Sequence, residues 1–320
     1  MELSCAFATA MATPDHALVA EQLGYRRAWF YDSPALYPDV WATMARAAER
    51  TDRIGLASGV LIPSLRHPMV TAAALAMLEE LAPGRVTMGV GTGFTGRLTL
   101  GKRPNKWSFV AEYVRTVQAL LRGEEVLWEG ATIAMLHPAG FGAARPVRVP
   151  TVLGVNGPKG EEVARELADG IIVSGRGVPG WDWCARLTFG TVLRPGEDVA
   201  SPRVREAAGH GAAVAFHGLY EMGGDLSRIP GGGQWQAAIE HVAEHRRHLE
   251  THAGHLIHLN ALDESVVTPD LIGALTFTGT VDHLRQQLDS LAEGGVTEIV
   301  YQPAGSDIPG ELEAFAQLVT

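Results

Sequence analysis

The sequence predicts an α/β fold built on parallel β-strands, and two observations support this prediction. Short apolar runs suited to buried strands alternate along the chain with apolar stripes at helical spacing. Eight such strands can be identified, and consecutive parallel strands need right-handed helical crossovers. The pattern therefore leaves two architectures, a closed (β/α)8 barrel and an open, doubly wound sheet.

The first half of the chain contains four regular βα units. After the first strand, Thr13 offers an N-cap oxygen, Pro14 suits the first helical position, and Gly24 closes the helix. The later helices are predicted from apolar residues that recur at helical spacing. The predicted strands are Leu3–Ala8, Arg27–Tyr31, Ile54–Val60 and Val86–Val90, and the helices that follow the last three are Val40–Ala48, Pro68–Leu81 and one over Phe109–Leu121.

The second half is less regular. Residues 124–149 contain a predicted hairpin around Gly130 and a loop, which we interpret as an insertion. Residues 195–235 show no readable pattern and are predicted to be irregular. Because composition does not shift along the chain, residues 1–320 are expected to form one domain. The remaining predicted elements are strands Thr151–Val155, Gly170–Ser174, Thr188–Leu193 and Thr297–Gln302, and helices Pro158–Ala168, Glu240–His252 and Val281–Ala292.

Charge and composition narrow the classes of partner. The formal net charge is −10, so the summed field repels phosphate backbones and anionic lipid surfaces, and neither nucleic acid nor a membrane is expected as a partner. The first residues lack the pattern of a secretory signal and no apolar run approaches a membrane span, so we expect a cytoplasmic protein. Two cysteines, Cys5 and Cys184, are too few for a disulfide framework or a cysteine-rich metal site.

The segment from Gly91 to Gly96 matches the G-x-G-x-x-G pattern of dinucleotide-binding folds. That pattern needs a helix that begins at once, so that its first amides meet the pyrophosphate, and it belongs to the first βα unit. Here Gly101 and Pro104 predict an irregular chain until about Lys106, and the segment lies in the fourth unit. We therefore do not interpret it as a dinucleotide site.

Five groups of short segments, none specific alone, follow one another in a characteristic order. They are Leu23–Tyr25 leading to Trp29–Asp32, Ser58–Val60 followed by Arg66–Pro68, Gly84–Val86 leading to Gly89–Gly93, Gly157–Lys159 with Ala168–Gly170, and Gly294–Glu298. Over nearly its whole length the chain resembles the luciferase-like flavin-dependent oxidoreductases, specifically the branch that uses the deazaflavin coenzyme F(420) and includes methylenetetrahydromethanopterin reductases. The resemblance implies a luciferase-like (β/α)8 TIM barrel that transfers a hydride between coenzyme F(420) and a small organic substrate.

The resemblance also implies a cofactor site on the loops that follow the strands, where the ligand-binding groups of a barrel collect. Asp32, at the end of the second strand, is expected to hydrogen-bond the cofactor. A non-proline cis peptide is expected at Gly59 or Val60, behind the deazaflavin ring. The expected cofactor-binding residues are Asp32, Ser58, Gly59, Val60, Gly91, Thr92, Gly93, Asn156, Gly157, Pro158, Lys159, Ser174 and Gly175.

One of these loops has the features of a phosphate site. The turn Asn156–Lys159 opens a helix with a proline in its first turn; its amides suit a phosphate, Gly157 permits close approach, and Lys159 adds a positive charge. An ordinary strand-to-helix turn is the alternative. The other lysines, Lys102 and Lys106, also fall in predicted loops at this mouth, as an anionic cofactor tail would favour, although solvated loop charge explains them equally well.

The sequence departs from the F(420)-dependent glucose-6-phosphate dehydrogenases at two positions. Those relatives place a histidine after the aspartate and a glutamate after the Gly-Thr-Gly turn, whereas this chain has Ser33 and Phe94. The acid–base pair that takes a proton from an alcohol is thus missing, and no catalytic residue is assigned. Trp41 and Phe94 are expected to line an apolar substrate pocket, with ordinary core packing as the alternative.

Histidines recur at helical spacing late in the chain. They are His241, His245, His248 and His252 on one face of the predicted helix, with His255 and His258 just beyond it. Two imidazoles one turn apart can chelate zinc, but no H-E-x-x-H motif occurs. We interpret the stripe as a solvated or interface surface and predict no metal site.

Two alternative functions remain at this stage. An FMN-dependent monooxygenase is the alternative within the family, and a non-catalytic cofactor-binding barrel is the alternative from another class, since the acid–base pair is absent. Relatives are often dimers, so the resemblance implies a homodimer.

Overall fold

The computed structural model of the chain describes residues 1–319. Within them the strands are β1 (Glu2–Phe7), β2 (Arg27–Phe30), β3 (Gly55–Ser58), β4 (Val86–Gly91), β5 (Val126–Trp128), β6 (Ala131–Ile133), β7 (Thr151–Gly154), β8 (Gly170–Val173), β9 (Cys184–Phe189) and β10 (Glu298–Gln302). The helices are α1 (Thr13–Gln22), α2 (Val40–Arg50), α3 (Pro68–Leu81), α4 (Phe94–Leu98), α5 (Trp107–Arg122), α6 (Pro158–Leu167), α7 (Pro202–Glu221), α8 (Gly232–Glu240), α9 (Arg247–Thr251), α10 (Ala261–Glu264), α11 (Pro269–Leu275), α12 (Val281–Glu293) and α13 (Ile308–Ala316).

Eight of these strands form a closed, parallel barrel. Their order around it is β1-β10-β9-β8-β7-β4-β3-β2, and β1 pairs with both β2 and β10 to complete the ring. β5 and β6 form a separate antiparallel hairpin within the predicted insertion. Closure of the ring confirms the (β/α)8 barrel and excludes the open, doubly wound sheet.

An apolar cluster that includes Trp29, Val152 and Val300 lies within the barrel, and a buried ion pair lies at the N-terminal end. Arg27 donates to Glu298 at 2.6 Å, and Glu298 also accepts hydrogen bonds from the indoles of Trp29 and Trp183, at 3.1 and 2.6 Å. The Arg27 guanidinium lies 4.3 Å from the ring centroid of Trp183. These groups fill the N-terminal end of the barrel with paired charge and hydrogen bonds, and the cleft described below opens at the opposite mouth.

The prediction that residues 195–235 are irregular is wrong. α7 alone has 20 residues, and α8 begins within the same region. The sequence concealed this helix because most residues of its buried face are alanines and glycines, which give a weak apolar stripe. Such small residues permit close approach: a Cβ on Gly211 would lie 2.7 Å from the Cβ of Phe189 on β9. With α8 and α11, α7 surrounds a second core that includes Phe216, Trp235 and Ile272.

Two further predicted elements differ from the structure. The seventh barrel strand is Cys184–Phe189 rather than Thr188–Leu193, because the register with β10 pairs Ala185 with Glu298. The helix predicted over 240–252 is broken: α8 ends at Glu240, and Arg247 donates to the carbonyls of Glu240 and Val242, both at 3.0 Å, which caps its C-terminus. In residues 1–319 no helix is both long and apolar enough to cross a membrane.

Candidate active site

A cleft opens at the C-terminal mouth of the barrel, where the loops after the strands meet. Its walls come from the ends of β2, β3, β4, β7 and β8, which are adjacent strands in the ring. The structure therefore brings together segments that are far apart in the sequence. The expected site residues that line the cleft are Asp32, Gly59, Val60, Gly91, Thr92, Gly93, Phe94, Asn156 and Ser174.

The segment after β3 forms a bulge at the base of the cleft. The peptide between Gly59 and Val60 is cis, which confirms the prediction of a non-proline cis bond at this position. Ser58 is buried, and its hydroxyl accepts a hydrogen bond from the Gly89 amide at 2.9 Å and contacts the Gly89 carbonyl oxygen at 3.0 Å. Ser58 is therefore not part of the cleft wall, and it anchors the bulge to β4 instead.

The bulge directs the side chain of Val60 between two glycines. A Cβ on Gly91 would lie 2.7 Å from Val60 Cγ2, and a Cβ on Gly154 would lie 3.5 Å from the same side chain. The first distance is shorter than carbon atoms tolerate, so Gly91 must remain without a side chain as long as Val60 occupies this position. The result is a smooth, apolar surface made of Val60 and glycine backbone.

Asp32 stands at the edge of this surface, directly after β2. Its Oδ2 accepts hydrogen bonds from the Ile62 amide at 3.2 Å and from Arg66 at 2.6 Å. Burial raises the pKa of the Asp32 carboxyl, and the adjacent guanidinium opposes the rise. The same pairing raises the pKa of Arg66 despite its partial burial, so the guanidinium stays charged. The carboxylate is held in place by the segment that follows the bulge.

The glycine-rich turn after β4 leads directly into a short helix, so the prediction of an irregular chain up to about Lys106 is wrong for residues 94–98 and holds for residues 99–106. Gly93 adopts a left-handed conformation with φ of 76°, and α4 begins at the next residue, Phe94. A glycine suits this φ because it has no Cβ. The turn nevertheless belongs to a closed barrel, and the exposed Phe94 ring lies at the mouth of the cleft.

The opposite rim of the cleft is formed by the turns after β7 and β8. Asn156 Oδ1 accepts a hydrogen bond from the Ser174 hydroxyl at 3.1 Å, which ties the two turns together. The remaining predicted residues, Gly157, Pro158 and Lys159, form the exposed beginning of α6 next to Asn156 rather than the cleft wall. Gly175 also lies just outside the wall.

The beginning of α6 is positioned by close packing on α5. A Cβ on Gly160 would lie 2.5 Å from the ring of Trp107, so the glycine lets the first turn of α6 rest against the indole. Trp107 is thus a packing residue, and it holds the helix start beside the cleft. Gly157 has open space around its Cα, so its backbone is accessible to a ligand.

Comparison with known proteins provides evidence on the family to which the chain belongs. Residues 8–181, more than half of the chain, match the model of the luciferase-like monooxygenase family. The chain belongs to the luciferase-like monooxygenase family. The matched residues include β2 to β8 and therefore nearly every segment that lines the cleft.

Individual members of the luciferase-like family can be named. The chain is 26% identical to a 5,10-methylenetetrahydromethanopterin reductase of Methanolobus tindarius, covering 95% of this chain and 93% of the relative. It is 34% identical to an F(420)-dependent glucose-6-phosphate dehydrogenase of Beutenbergia cavernae, over 51% of this chain and 52% of that one. The structure of the coenzyme F(420)-dependent tetrahydromethanopterin reductase of Methanopyrus kandleri superposes with a TM-score of 0.72 and 19% identity, covering 99% of this chain and 98% of the other. This last similarity shows the shared fold.

Sequence reasoning missed several residues that line the luciferase-like cleft. They are Tyr31, Ser33, Tyr37, Ile62, Thr95, Gly96, Gly154, Ile172, Val173, Leu187 and Leu256. Tyr31 and Gly154 follow from the rule that strand ends face the mouth, so the sequence contained their signal. Leu256 lies in the histidine-rich segment far along the chain, and no local pattern associates it with the cleft.

The structure does not bring Trp41 to the cleft. This residue lies in the first turn of α2, and its half-buried ring packs against the main hydrophobic core between barrel and helices. The position of Trp41 follows from the start of α2 at Val40. Asp39 caps this helix start, because its side chain accepts a hydrogen bond from the Ala42 amide at 3.0 Å. Of the two predicted pocket aromatics, only Phe94 faces the cleft.

Proposed function

We propose that this protein is an oxidoreductase that transfers a hydride between coenzyme F(420) and a small, partly apolar organic substrate. The observation that carries the proposal is the smooth surface of Val60, Gly91 and Gly154 at the base of the cleft. A flat ring can lie against such a surface, because Gly91 and Gly154 carry no side chain that would protrude from it. The name of one relative, the F(420)-dependent glucose-6-phosphate dehydrogenase of Beutenbergia cavernae, supports the choice of cofactor.

The residues present fit this cofactor. The ring would lie over Val60, with Asp32 at its edge, and Thr92 and Gly93 would bound it on the β4 side. The phosphate would lie at the start of α6, where Gly157 leaves the backbone open and the helix N-terminus and Lys159 provide positive charge. When bound, the deazaflavin supplies the carbon that accepts or donates the hydride. The protein positions the reactants and excludes water.

The substrate class follows from the groups that face the cleft. Of the described residues that line it, Asp32 is the sole carboxylate, and it is engaged by Arg66. Burial raises the pKa of the Tyr31 and Tyr37 phenols, so both are neutral. Since no side chain among the described lining residues is a free acid or base near neutral pH, we infer that the protein does not itself move a proton at the reacting atoms. We propose a substrate whose reaction is hydride transfer alone.

Binding experiments test the cofactor assignment. Purified protein is titrated with F(420) and, separately, with FMN, and the fluorescence of each is followed. We expect saturable, tight binding of F(420) and weak binding of FMN. Tight binding of FMN without binding of F(420) would support the monooxygenase alternative and overturn the proposal. Saturable F(420) binding with no hydride transfer to any acceptor tested would support the non-catalytic barrel.

A pair of variants tests the phosphate position. Gly157 has extended backbone with φ of 171°, and a Cβ added there would meet no other atom within 4 Å, so both Gly157→Asp and Gly157→Asn are compatible with the fold. The aspartate adds a negative charge beside the phosphate, and the asparagine is its neutral match. We expect the Asp variant to bind F(420) about fivefold more weakly than the Asn variant, which corresponds to about 1 kcal/mol. Equal affinities would contradict the phosphate position.

We also propose that the enzyme is a homodimer that associates through α3. The support is an exposed apolar stripe on this helix, formed by Val70, Met77 and Leu81. Light scattering after size-exclusion chromatography measures the mass, and Met77→Glu should convert the dimer to a monomer. A monomeric wild-type protein at micromolar concentration would refute the proposal.

We propose that the enzyme acts in the cytoplasm. Cys5 and Cys184 are both free and buried, which suits a reducing compartment. Fractionation of the source cells, followed by detection of the protein with an antibody, tests this assignment, and recovery from the culture medium would contradict it.

A further inference from the structure

A buried group of three histidines lies behind the wall of the cleft, apart from the proposed cofactor site. His217 belongs to α7, and His252 and His255 follow α9; the three residues are respectively 3%, 1% and 6% exposed. One ring nitrogen from each lies within 4.8 Å of the other two. The prediction that this histidine-rich segment forms a solvated or interface stripe is therefore wrong for His252 and His255. The break between α8 and α9 turns both inward.

The three rings have different planes, since those of His217 and His255 each lie at 79° to that of His252, but the same ring atom of each lies next to an oxygen. The Nε2 atom of each lies beside an oxygen: Asp263 Oδ1 at 2.9 Å for His217, Glu221 Oε1 at 3.5 Å for His252 and Thr95 Oγ1 at 3.4 Å for His255. The Nδ1 atoms of His217 and His255 face each other at 3.1 Å. Metal-bound histidines have this arrangement, in which one nitrogen is held by a carboxylate or other oxygen and the second is left for the ion.

Hydrogen bonds alone can explain the positions of two of the three rings, those of His217 and His255. If His217 donates from Nε2 to Asp263, its Nδ1 is unprotonated and can accept from the Nδ1 of His255. This chain of hydrogen bonds leaves out His252. Within residues 1–319 neither of its ring nitrogens makes a hydrogen bond, although the side chain is almost wholly buried. Glu221 Oε1 lies 3.5 Å from Nε2 but forms no hydrogen bond with it, so this buried imidazole calls for a further ligand.

We propose that His217, His252 and His255 bind a divalent transition-metal ion, for which zinc is the best match. Zinc takes neutral imidazole nitrogens at about 2.0 to 2.1 Å, so two ligands of a tetrahedral site stand about 3.4 Å apart. The observed 3.1 Å between two Nδ1 atoms is close to this separation. Asp263 and Glu221 would orient the rings, and their negative charge would favour the cation.

The site would stabilise one wall of the cleft. Tyr37, which lines the cleft, donates from its hydroxyl to the carbonyl of His255 at 2.5 Å, and Leu256 lines the cleft directly. A metal bound to His252 and His255 on one side and to α7 on the other would therefore fix the position of Leu256. The ion is a structural element in this proposal and takes no part in hydride transfer.

Metal binding to the complete protein tests the proposal. Protein dialysed against a chelator is titrated with Zn²⁺ in a calorimeter, and Co²⁺ is used to obtain a visible absorption spectrum. We expect one equivalent of Zn²⁺ per chain, a higher melting temperature with Zn²⁺ bound, and the intense bands of tetrahedral Co²⁺. His217→Gln and His252→Gln should each lower the affinity for Zn²⁺ at least about tenfold.

Two control variants separate metal binding from a general loss of structure. His210→Gln replaces a buried histidine of the same helix that lies outside the group, and His245→Gln replaces an exposed one. Both should bind Zn²⁺ as the wild-type protein does. The proposal is overturned if folded, metal-free protein takes up no stoichiometric Zn²⁺, or if the two control substitutions reduce binding as much as those in the group. Because the readout is metal uptake, the result does not depend on which redox cofactor the cleft binds.

Discussion

Arg66 and Asp32 form the most buried ion pair at the mouth of the barrel. The guanidinium donates to Asp32 Oδ2 at 2.6 Å, and the two side chains are 14% and 1% exposed. The other terminal nitrogen of Arg66, Nη2, donates to the exposed Asp39 at 3.1 Å. Through these contacts the loop after β3 holds the carboxylate that ends β2, and Asp39 in turn caps α2. The edge of the cofactor cleft thus depends on one arginine.

We expect Asp32→Asn to destabilise the protein and to weaken F(420) binding. An asparagine has nearly the same shape but leaves the partly buried Arg66 without its main counter-charge. Removing one partner of a buried pair costs about 3 to 5 kcal/mol, and the lower value applies here because Arg66 keeps Asp39. Urea denaturation measures the loss. The matched change Asp39→Asn removes an exposed carboxylate and preserves a good cap, so its cost should stay below about 1 kcal/mol. Similar losses in the two variants would contradict this account.

The contact between Gly91 and Val60 makes a prediction about packing. Gly91→Ala should lower the free energy of unfolding by about 1 to 3 kcal/mol, because the new methyl group would lie 2.7 Å from Val60 Cγ2. The double variant Gly91→Ala with Val60→Ala removes the obstacle and should regain part of the loss. Gly233→Ala, at a position with open space, serves as the control and should be neutral or stabilising. If the double variant loses as much free energy of unfolding as the two single variants together, residues 91 and 60 do not interact.

The charge of Lys159 should contribute to cofactor affinity without contributing to the fold. Its side chain is exposed at the start of α6, so Lys159→Ala should leave the melting temperature unchanged. We expect F(420) to bind about two- to fivefold more weakly at low salt, and the difference to shrink as salt screens the charge. Lys102→Ala removes an equal charge from another exposed loop. If Lys102→Ala weakens F(420) binding as much as Lys159→Ala does, the loss of affinity comes from the change in net charge and not from a phosphate site.

Glu197 should contribute to the acid stability of the protein. Hydrogen bonds from Arg203, at 2.5 and 2.7 Å, lower the pKa of its carboxyl from 4.5 to about 2. Because the folded-state pKa lies below the ordinary one, the stabilisation is complete above pH 4.5 and is lost as the pH falls towards 2. Glu197→Gln should therefore unfold more easily at neutral pH and lose less stability on acidification.

Unfolding curves between pH 6 and about 2 measure that slope. The surface carboxylate of Glu166, which pairs with Arg115 on exposed helix faces, provides a control in Glu166→Gln. The stability of Glu166→Gln should depend on pH in the same way as that of the wild-type protein. A parallel shift of the Glu197→Gln curve, with no change in slope, would show that the carboxyl does not titrate differently in the folded state.

Local patterns in the sequence located the four strands of the first half of the barrel and every helix there except α4. α3 was predicted at both ends, because Pro68 opens it and Pro83 follows it, and the four buried strands were found from their aliphatic runs. The resemblance to luciferase-like relatives added the cis peptide after Gly59, which periodicity could not indicate. Local patterns failed for α7, since its alanines and glycines pack through close backbone contact and carry no strong apolar stripe.

The amino-acid sequence by itself determined the parallel strands, the family, and most of the glycine turns that surround the cleft, because these depend on residue type at short range. Only the tertiary structure decided three features. It showed that the strands close into a ring, that Ser58 and Trp41 face away from the cleft, and that His217 meets His252 and His255. These features depend on contacts between residues far apart in the chain, which local periodicity does not encode.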